Sequence, residues 1–231
     1  MITDYSKQTE LVNVFDFDTP LHVIGCGAGG SWLTFFLLKM GFNNVHVYDF
    51  DRVEEHNLPN QMFEEKHIGF KKVECMLDLY ETFFNDPTPR LTIHDKKVAG
   101  ADAAEMTGFV FSCVDSMGTR KRLYEAAFKN GKCDVWIEGR MGLWGAYIYT
   151  LTERSPEIFK AYEETLYDDE EAEVSACGVS QTALPSAANS ASVMVSQMIN
   201  VYRGNNVVNE IRYQMPDMVT LNSVWKSELQ R

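Results

Sequence analysis

Leu21-His22-Val23-Ile24-Gly25-Cys26-Gly27-Ala28-Gly29-Gly30-Ser31-Trp32-Leu33 is the stretch whose reading decides the fold. A short apolar strand runs directly into the spacing G-x-G-x-x-G, and a helical stretch runs on from Ser31 to Met40, stopped by Gly41. Each glycine has a physical task in such a turn. Gly25 allows the tight bend, Gly27 lets a ligand phosphate approach the backbone, and Gly30 lets the helix pack closely on the strand. The N–H groups around Ala28 and Gly29 then face an anion, with the positive end of the helix dipole behind them. Trp32, Leu33, Phe35, Phe36, Leu37 and Leu38 place apolar groups almost all round the helix, which predicts that it is buried.

Further along, strand-like and helix-like pieces alternate, as in a parallel sheet covered on both faces. Val45–Tyr48 reads as a second strand running out into Asp49 and Asp51, and Lys71–Phe84 as a helix with Val73, Met76, Leu77, Tyr80 and Phe84 at helical spacing. The Asp86-Pro87-Thr88-Pro89 turn ends it. Leu91–His94 and Phe109–Val114 are the third and fourth strands, the latter continuous enough to be central. Arg120–Lys129 reads as a helix and Val135–Ile137 as a fifth strand, succeeded by a glycine-rich turn. Beyond it come a strand at Ala146–Leu151, an acidic surface run at Asp168–Glu173 and a long helix from Pro185 to Arg203, with Met194 and Met198 in its core face. A hairpin of Glu210–Gln214 and Met218–Leu221 closes the chain. The expected architecture is α/β: a Rossmann-like, mostly parallel sheet over about residues 20–138, helices on both faces, and an antiparallel C-terminal extension over about 139–231, all in one domain.

Composition narrows the function. The 231 residues carry 21 Lys+Arg against 33 Asp+Glu, a formal charge of −12, with no basic run, so a nucleic-acid backbone is not an expected partner. No apolar stretch near the N-terminus approaches the ~20 residues that span a bilayer, and Met1–Asp18 shows no signal-peptide pattern, so a membrane is not expected either. Five cysteines (Cys26, Cys75, Cys113, Cys133, Cys177) with no C-x-x-C pair argue against a disulfide framework or a four-cysteine zinc site. These features predict a cytoplasmic protein. The five histidines, His22, His46, His56, His67 and His94, are scattered along the chain.

On its own, the glycine turn with Asp49 at the end of the next strand is the pattern of a dinucleotide site, the acidic side chain accepting ribose hydroxyls. The residues after the second strand shift the balance. Asp49-Phe50-Asp51-Arg52-Val53-Glu54-Glu55-His56-Asn57-Leu58-Pro59-Asn60-Gln61 resembles the D-x-D-x-V-x-x-x-N-L-x-R-Q signature of the ThiF/MoeB/HesA-like superfamily, which includes the ubiquitin-activating enzymes. Ile68-Gly69-Phe70-Lys71-Lys72-Val73-Glu74 resembles its I-G-x-x-K-x-E segment, and Cys113-Val114-Asp115 its C-x-D, with Arg120 at the family spacing. The resemblance implies ATP-dependent adenylation of a carboxylate, most often the C-terminal glycine of a small ubiquitin-like or sulfur-carrier protein, in a homodimer. It assigns Asp49 to the ribose, with Asp51 beside it. Asn57, Gln61 and Lys72 surround the phosphates, and Asp115 takes magnesium. These roles suit the residue types: a lysine offsets phosphate charge, amides orient, and a carboxylate shares a hydrated Mg²⁺ with phosphate oxygens.

The chain departs from the family pattern twice. Asn60 stands where the family has arginine, and no arginine-rich stretch is recognisable before Asp18. Arg52, Lys71, Arg120 and Arg140 are the cations available to substitute, with Arg140, in the expected Glu138–Gly142 turn, the preferred one. Cys177, between the acidic run and the long helix, is a candidate covalent acceptor. Two other readings stay open: a nucleotide-binding scaffold subunit that has lost its arginines, and a nicotinamide-dependent oxidoreductase built on the same turn.

Overall fold

The computed structural model describes residues 4–84, 89–167 and 181–225. One eight-stranded sheet organises them, in the order β3-β2-β1-β4-β5-β6-β7-β8. The elements run β1 (Leu21–Ile24), α1 (Ala28–Met40), β2 (Val45–Asp49), α2 (Lys72–Phe84), β3 (Leu91–Asp95), α3 (Gly100–Glu105), β4 (Phe109–Ser112) and α4 (Met117–Tyr124). A π-helical turn, Glu125–Lys129, extends α4. Then come β5 (Val135–Met141), β6 (Gly145–Leu151), α5 (Pro156–Glu163), α6 (Leu184–Tyr202), β7 (Glu210–Gln214) and β8 (Val219–Ser223). Strands β1 to β5 pair in parallel, whereas β6, β7 and β8 add to β5 in antiparallel succession. The chain winds outward from β1 in both directions, so the crevice lies outside the carboxyl ends of β1 and β4.

Side chains along each strand alternate between two cores. Val23, Val47, Phe111 and Ile137 join Leu33, Leu37, Val73, Met76, Met194 and Met198 on one face, under α1, α2 and α6. Ile24, Tyr48, Val110 and Trp136 join Ala103, Leu123, Phe128 and Tyr162 on the other, under α3, α4 and α5. Burial on both faces is why the parallel strands read as continuous apolar runs. The small residues of α6 let it lie close on the sheet: a Cβ on Gly139 of β5 would meet Ser190 Oγ at 2.8 Å.

The expected strands and long helices are present, with four differences. Helix α1 is not buried all round; Trp32, Phe35 and Phe36 are only partly covered while Leu33, Leu37 and Leu38 are inside. Helices α3 and α5 were not expected. The first is too short for a period to show, but the second carried a legible start, Ser155 capping ahead of Pro156. Strand β5 continues four residues beyond Ile137, through Glu138 and Arg140, because antiparallel pairing with β6 supplies its hydrogen bonds. Met117, not Arg120, opens α4, since Ser116 caps it. The acidic run Asp168–Glu173 and the turn residues Asp86–Thr88 lie outside the described residues.

Three of the five histidines meet in the sheet. His22 and His46 pair in register on β1 and β2, and His94 lies beside them on β3. Their rings stack at 5.0 and 5.5 Å, His46 Nδ1 is 3.2 Å from His94 Nε2, and His22 Nδ1 is 3.0 Å from the Tyr48 hydroxyl. Burial first, then the neighbouring imidazoles, pushes His22 down to about 4, and burial lowers His46 and His94 as well. The unfolded chain therefore takes up protons at these sites before the folded one does, and stability falls with pH. Thermal melts should show the midpoint dropping as pH falls from 6.5 towards about 4, and His22→Gln should flatten that slope. An unchanged slope in the variant would refute the assignment.

Candidate functional site

The turn after β1 is built by close contact. Gly25 adopts φ +93°, and a Cβ there would also lie 2.7 Å from the Cys113 carbonyl oxygen. A Cβ on Gly30 would lie 1.8 Å from the Gly25 oxygen, so helix and strand could not pack. Gly27 is different, because a Cβ there would meet nothing within 4 Å among the described residues. It is the residue before α1, and among the described residues no side chain caps that helix. An uncapped helix start beside an open cradle at a switch point is a fit for phosphate.

Asp49 braces this turn from the end of β2. The Cys26 N–H donates to its Oδ2 at 2.6 Å and the Asp51 N–H to its Oδ1 at 2.8 Å. Each carboxylate oxygen keeps a further acceptor position, as sugar hydroxyls require. Lys72, buried at the first position of α2, reaches Asp51 Oδ2 at 3.2 Å, and its own N–H donates to the Asp51 carbonyl. The Arg52–Lys71 bridge completes a clip between this loop and α2. Asn57 is buried and accepts the Glu54 N–H at 2.9 Å, closing the turn at Glu55–Asn57. Its carbonyl accepts the Asn60 and Gln61 N–H groups. The Asn60 side chain donates to the Thr182 carbonyl at 2.7 Å. The side-chain oxygens of Asn60 and Gln61 are buried without a partner among the described residues, which a ligand donor would relieve.

Asp115 sits exposed in the bend after β4. Ser116 does the capping of α4, accepting the Thr119 N–H at 3.2 Å, so Asp115 is not a helix cap. Among the described residues no group of three or more His, Cys, Asp or Glu could hold a metal ion unaided. With no side-chain hydrogen bond or ion pair to another described residue, the exposed Asp115 carboxylate fits a hydrated Mg²⁺ that takes its other ligands from phosphate and water.

Arg140 departs from expectation. It lies within β5, not in a turn, and its guanidinium is engaged: Nε with Glu138, Nη1 with the Thr165 carbonyl at 2.6 Å, Nη2 with Thr165 Oγ1 at 3.0 Å, and the Tyr149 ring at 4.3 Å. It is not a spare cation. Arg120 is buried against Glu138 and two carbonyls, Lys71 pairs with Asp95, and Arg52 donates to the Gly69 carbonyl. Cys177 lies outside the described residues. What sequence reasoning missed is Glu138 itself, fully buried between the two arginines; its one visible signal is a charge directly after the apolar run Val135–Ile137.

The ThiF family model matches residues 17–228. Among curated proteins, the chain is 38% identical over 122 residues to the Nedd8-activating enzyme E1 catalytic subunit of Drosophila melanogaster, covering 51% of this chain and 26% of that protein. It is 28% identical over 136 residues to ubiquitin-like modifier-activating enzyme 5 of Drosophila persimilis, covering 52% and 34%. The match thus spans about a third or less of these relatives' length. The crystal structure of Escherichia coli MccB with ATP superposes with a TM-score of 0.70 at 14% identity, covering 97% of this chain and 69% of that one; this likeness is one of fold.

The glycines separate packing from binding. Gly27→Ala should leave the melting temperature nearly unchanged while weakening ATP binding measured by calorimetry. Gly30→Ala should destabilise the fold outright. Equal effects of both changes on stability would contradict the open-cradle geometry.

Proposed function

The chain belongs to the ThiF family, and from that premise we propose that it binds ATP at the glycine turn and adenylates a carboxylate, the C-terminal glycine of a small ubiquitin-like or sulfur-carrier protein. The observation that carries this is the meeting of the open Gly27 cradle, Asp49, the Lys72–Asp51 pair and the exposed Asp115 carboxylate at one end of the sheet. A redox enzyme on the same turn has no use for Asn57, Gln61 and Lys72 in these places. The names of the curated relatives support the substrate class, and the MccB structure with ATP supports the nucleotide.

In this reaction a carboxylate oxygen attacks the α-phosphorus. An acyl–oxygen–phosphorus bond forms as the bond to the β-phosphate breaks, and pyrophosphate leaves with the electron pair. The protein's part is positioning and charge. Lys72 supplies a cation, held in place by Asp51. The α1 N-terminus binds phosphate oxygens, and Asp49 orients the ribose while tying the turn together. Asp115 would hold Mg²⁺, which offsets charge on the phosphates.

One observation favours a second reading, a nucleotide-binding scaffold. Asn60 occupies the family arginine's place with its amide donated to Thr182, and Arg52, Lys71, Arg120 and Arg140 all have other partners. ATP–pyrophosphate exchange with candidate carboxylates, run beside calorimetric ATP binding, separates the two. Exchange supports adenylation; ATP binding without exchange supports the scaffold. In an active chain Lys72→Ala should lower the exchange rate by roughly 10²–10³, the cost of removing one charge-stabilising donor. Unaltered exchange in that variant would exclude Lys72 from the role.

A further inference from the structure

Glu138 lies on the α4–α5 face of β5 and is completely buried. Its Oε1 is shared by two guanidiniums, Arg120 Nη1 at 3.1 Å and Arg140 Nε, and its Oε2 accepts the Tyr162 hydroxyl. Burial alone would push this carboxyl up, but the two arginines and the tyrosine overcome it and hold the group below the ordinary glutamate value. Two cations and one anion are thus buried together. Each buried ion costs several kcal/mol in desolvation, and an apolar cluster of the same volume would commonly be no less stable. Trp136 and Tyr149 show that this face of the sheet accepts apolar side chains.

The arginines also donate at three other places, Val114, Gly139 and Thr165, while Arg120 Nε is buried with no partner among the described residues. Arg120 Nη2 donates to the Val114 carbonyl, one residue before Asp115, and Nη1 to the Gly139 carbonyl at 3.2 Å. Arg140 takes both the carbonyl and the hydroxyl of Thr165, just after α5. Glu138 therefore joins the bend that carries Asp115 to the end of α5 through charged groups whose geometry packing locks.

We infer that Glu138 is a positioning residue for the magnesium-bearing edge of the site: through Arg120 it holds the Val114–Asp115 backbone in the orientation that presents Asp115 to a metal–nucleotide complex. This rests on the assignment of Asp115 proposed above. Outer partners that orient a ligand typically change metal affinity by roughly 10- to 100-fold when removed, and they act through that ligand.

The test is calorimetric binding of ATP to the intact chain, with magnesium and with EDTA, for the unmodified protein, D115A, E138Q and the double variant. The unmodified chain should bind ATP more tightly with magnesium. E138Q should lose roughly 10- to 100-fold of that gain while its affinity in EDTA stays the same, and the double variant should be no weaker than D115A. R120K keeps a charge beside Glu138 but loses the fork on the two carbonyls. It should show the same selective loss, and it carries the test if E138Q does not fold. Full additivity of E138Q with D115A, or equal weakening with and without magnesium, would overturn the inference. A magnesium gain abolished in D115A but intact in E138Q and R120K overturns this inference alone. No magnesium gain in the unmodified chain overturns the Asp115 assignment and this inference with it.

Discussion

A carbonyl oxygen at Gly25 occupies the space that any side chain on Gly30 would need, and the rest of the molecule is arranged around that contact. It brings α1 down onto β1 and β4 at the point where the strand order reverses. The helix start then faces the crevice instead of being wrapped by its own loop. Asp49 adds the second constraint, accepting the Cys26 N–H from across the turn. The same carboxylate that would meet a ribose is therefore part of the scaffold that shapes the phosphate cradle.

Charge around this site is local and paired. The chain has twelve more acidic than basic residues, the difference between 33 and 21, yet the proposed ligand is itself an anion. In the proposed reading, binding would come not from a general positive field but from backbone N–H groups, one buried lysine and a shared metal. Lys72 is steadied by Asp51, and the arginines near the strand ends are committed to Glu138 and to carbonyls. Arg52, Arg120 and Arg140 each donate to backbone carbonyls, which in the proposed reading leaves few groups to offset phosphate charge.

The glycine turn, the strands before and after it, and the run from Asp49 to Lys72 were legible because each is local: a spacing, a cap, an alternation of apolar residues. The sheet's antiparallel end was legible in the Glu210–Gln214 strand and the turn after it. Other features were not. Arg140 looked like a loop cation because glycines surround it, and only pairing of β5 with β6 reveals a strand whose arginine points into Tyr149 and Tyr162. His22, His46 and His94 lie far apart in the chain and meet because parallel pairing aligns three strands. Asn60 looked only like a lost arginine, whereas in the fold it ties Thr182, which lies 122 positions on, to the loop after β2.

The sequence by itself determined the parallel sheet, the glycine turn, the family and the residue types that could serve adenylation, since local spacing and residue chemistry carry that information. Only the tertiary structure decided which of those residues are free to act. Whether a charge faces a ligand or a buried counter-ion depends on neighbours distant in the chain. Lys72 lies beside the cradle, Asp115 is left without a capping task, and Arg120 and Arg140 are bound to Glu138 because β4, β5 and α5 converge there.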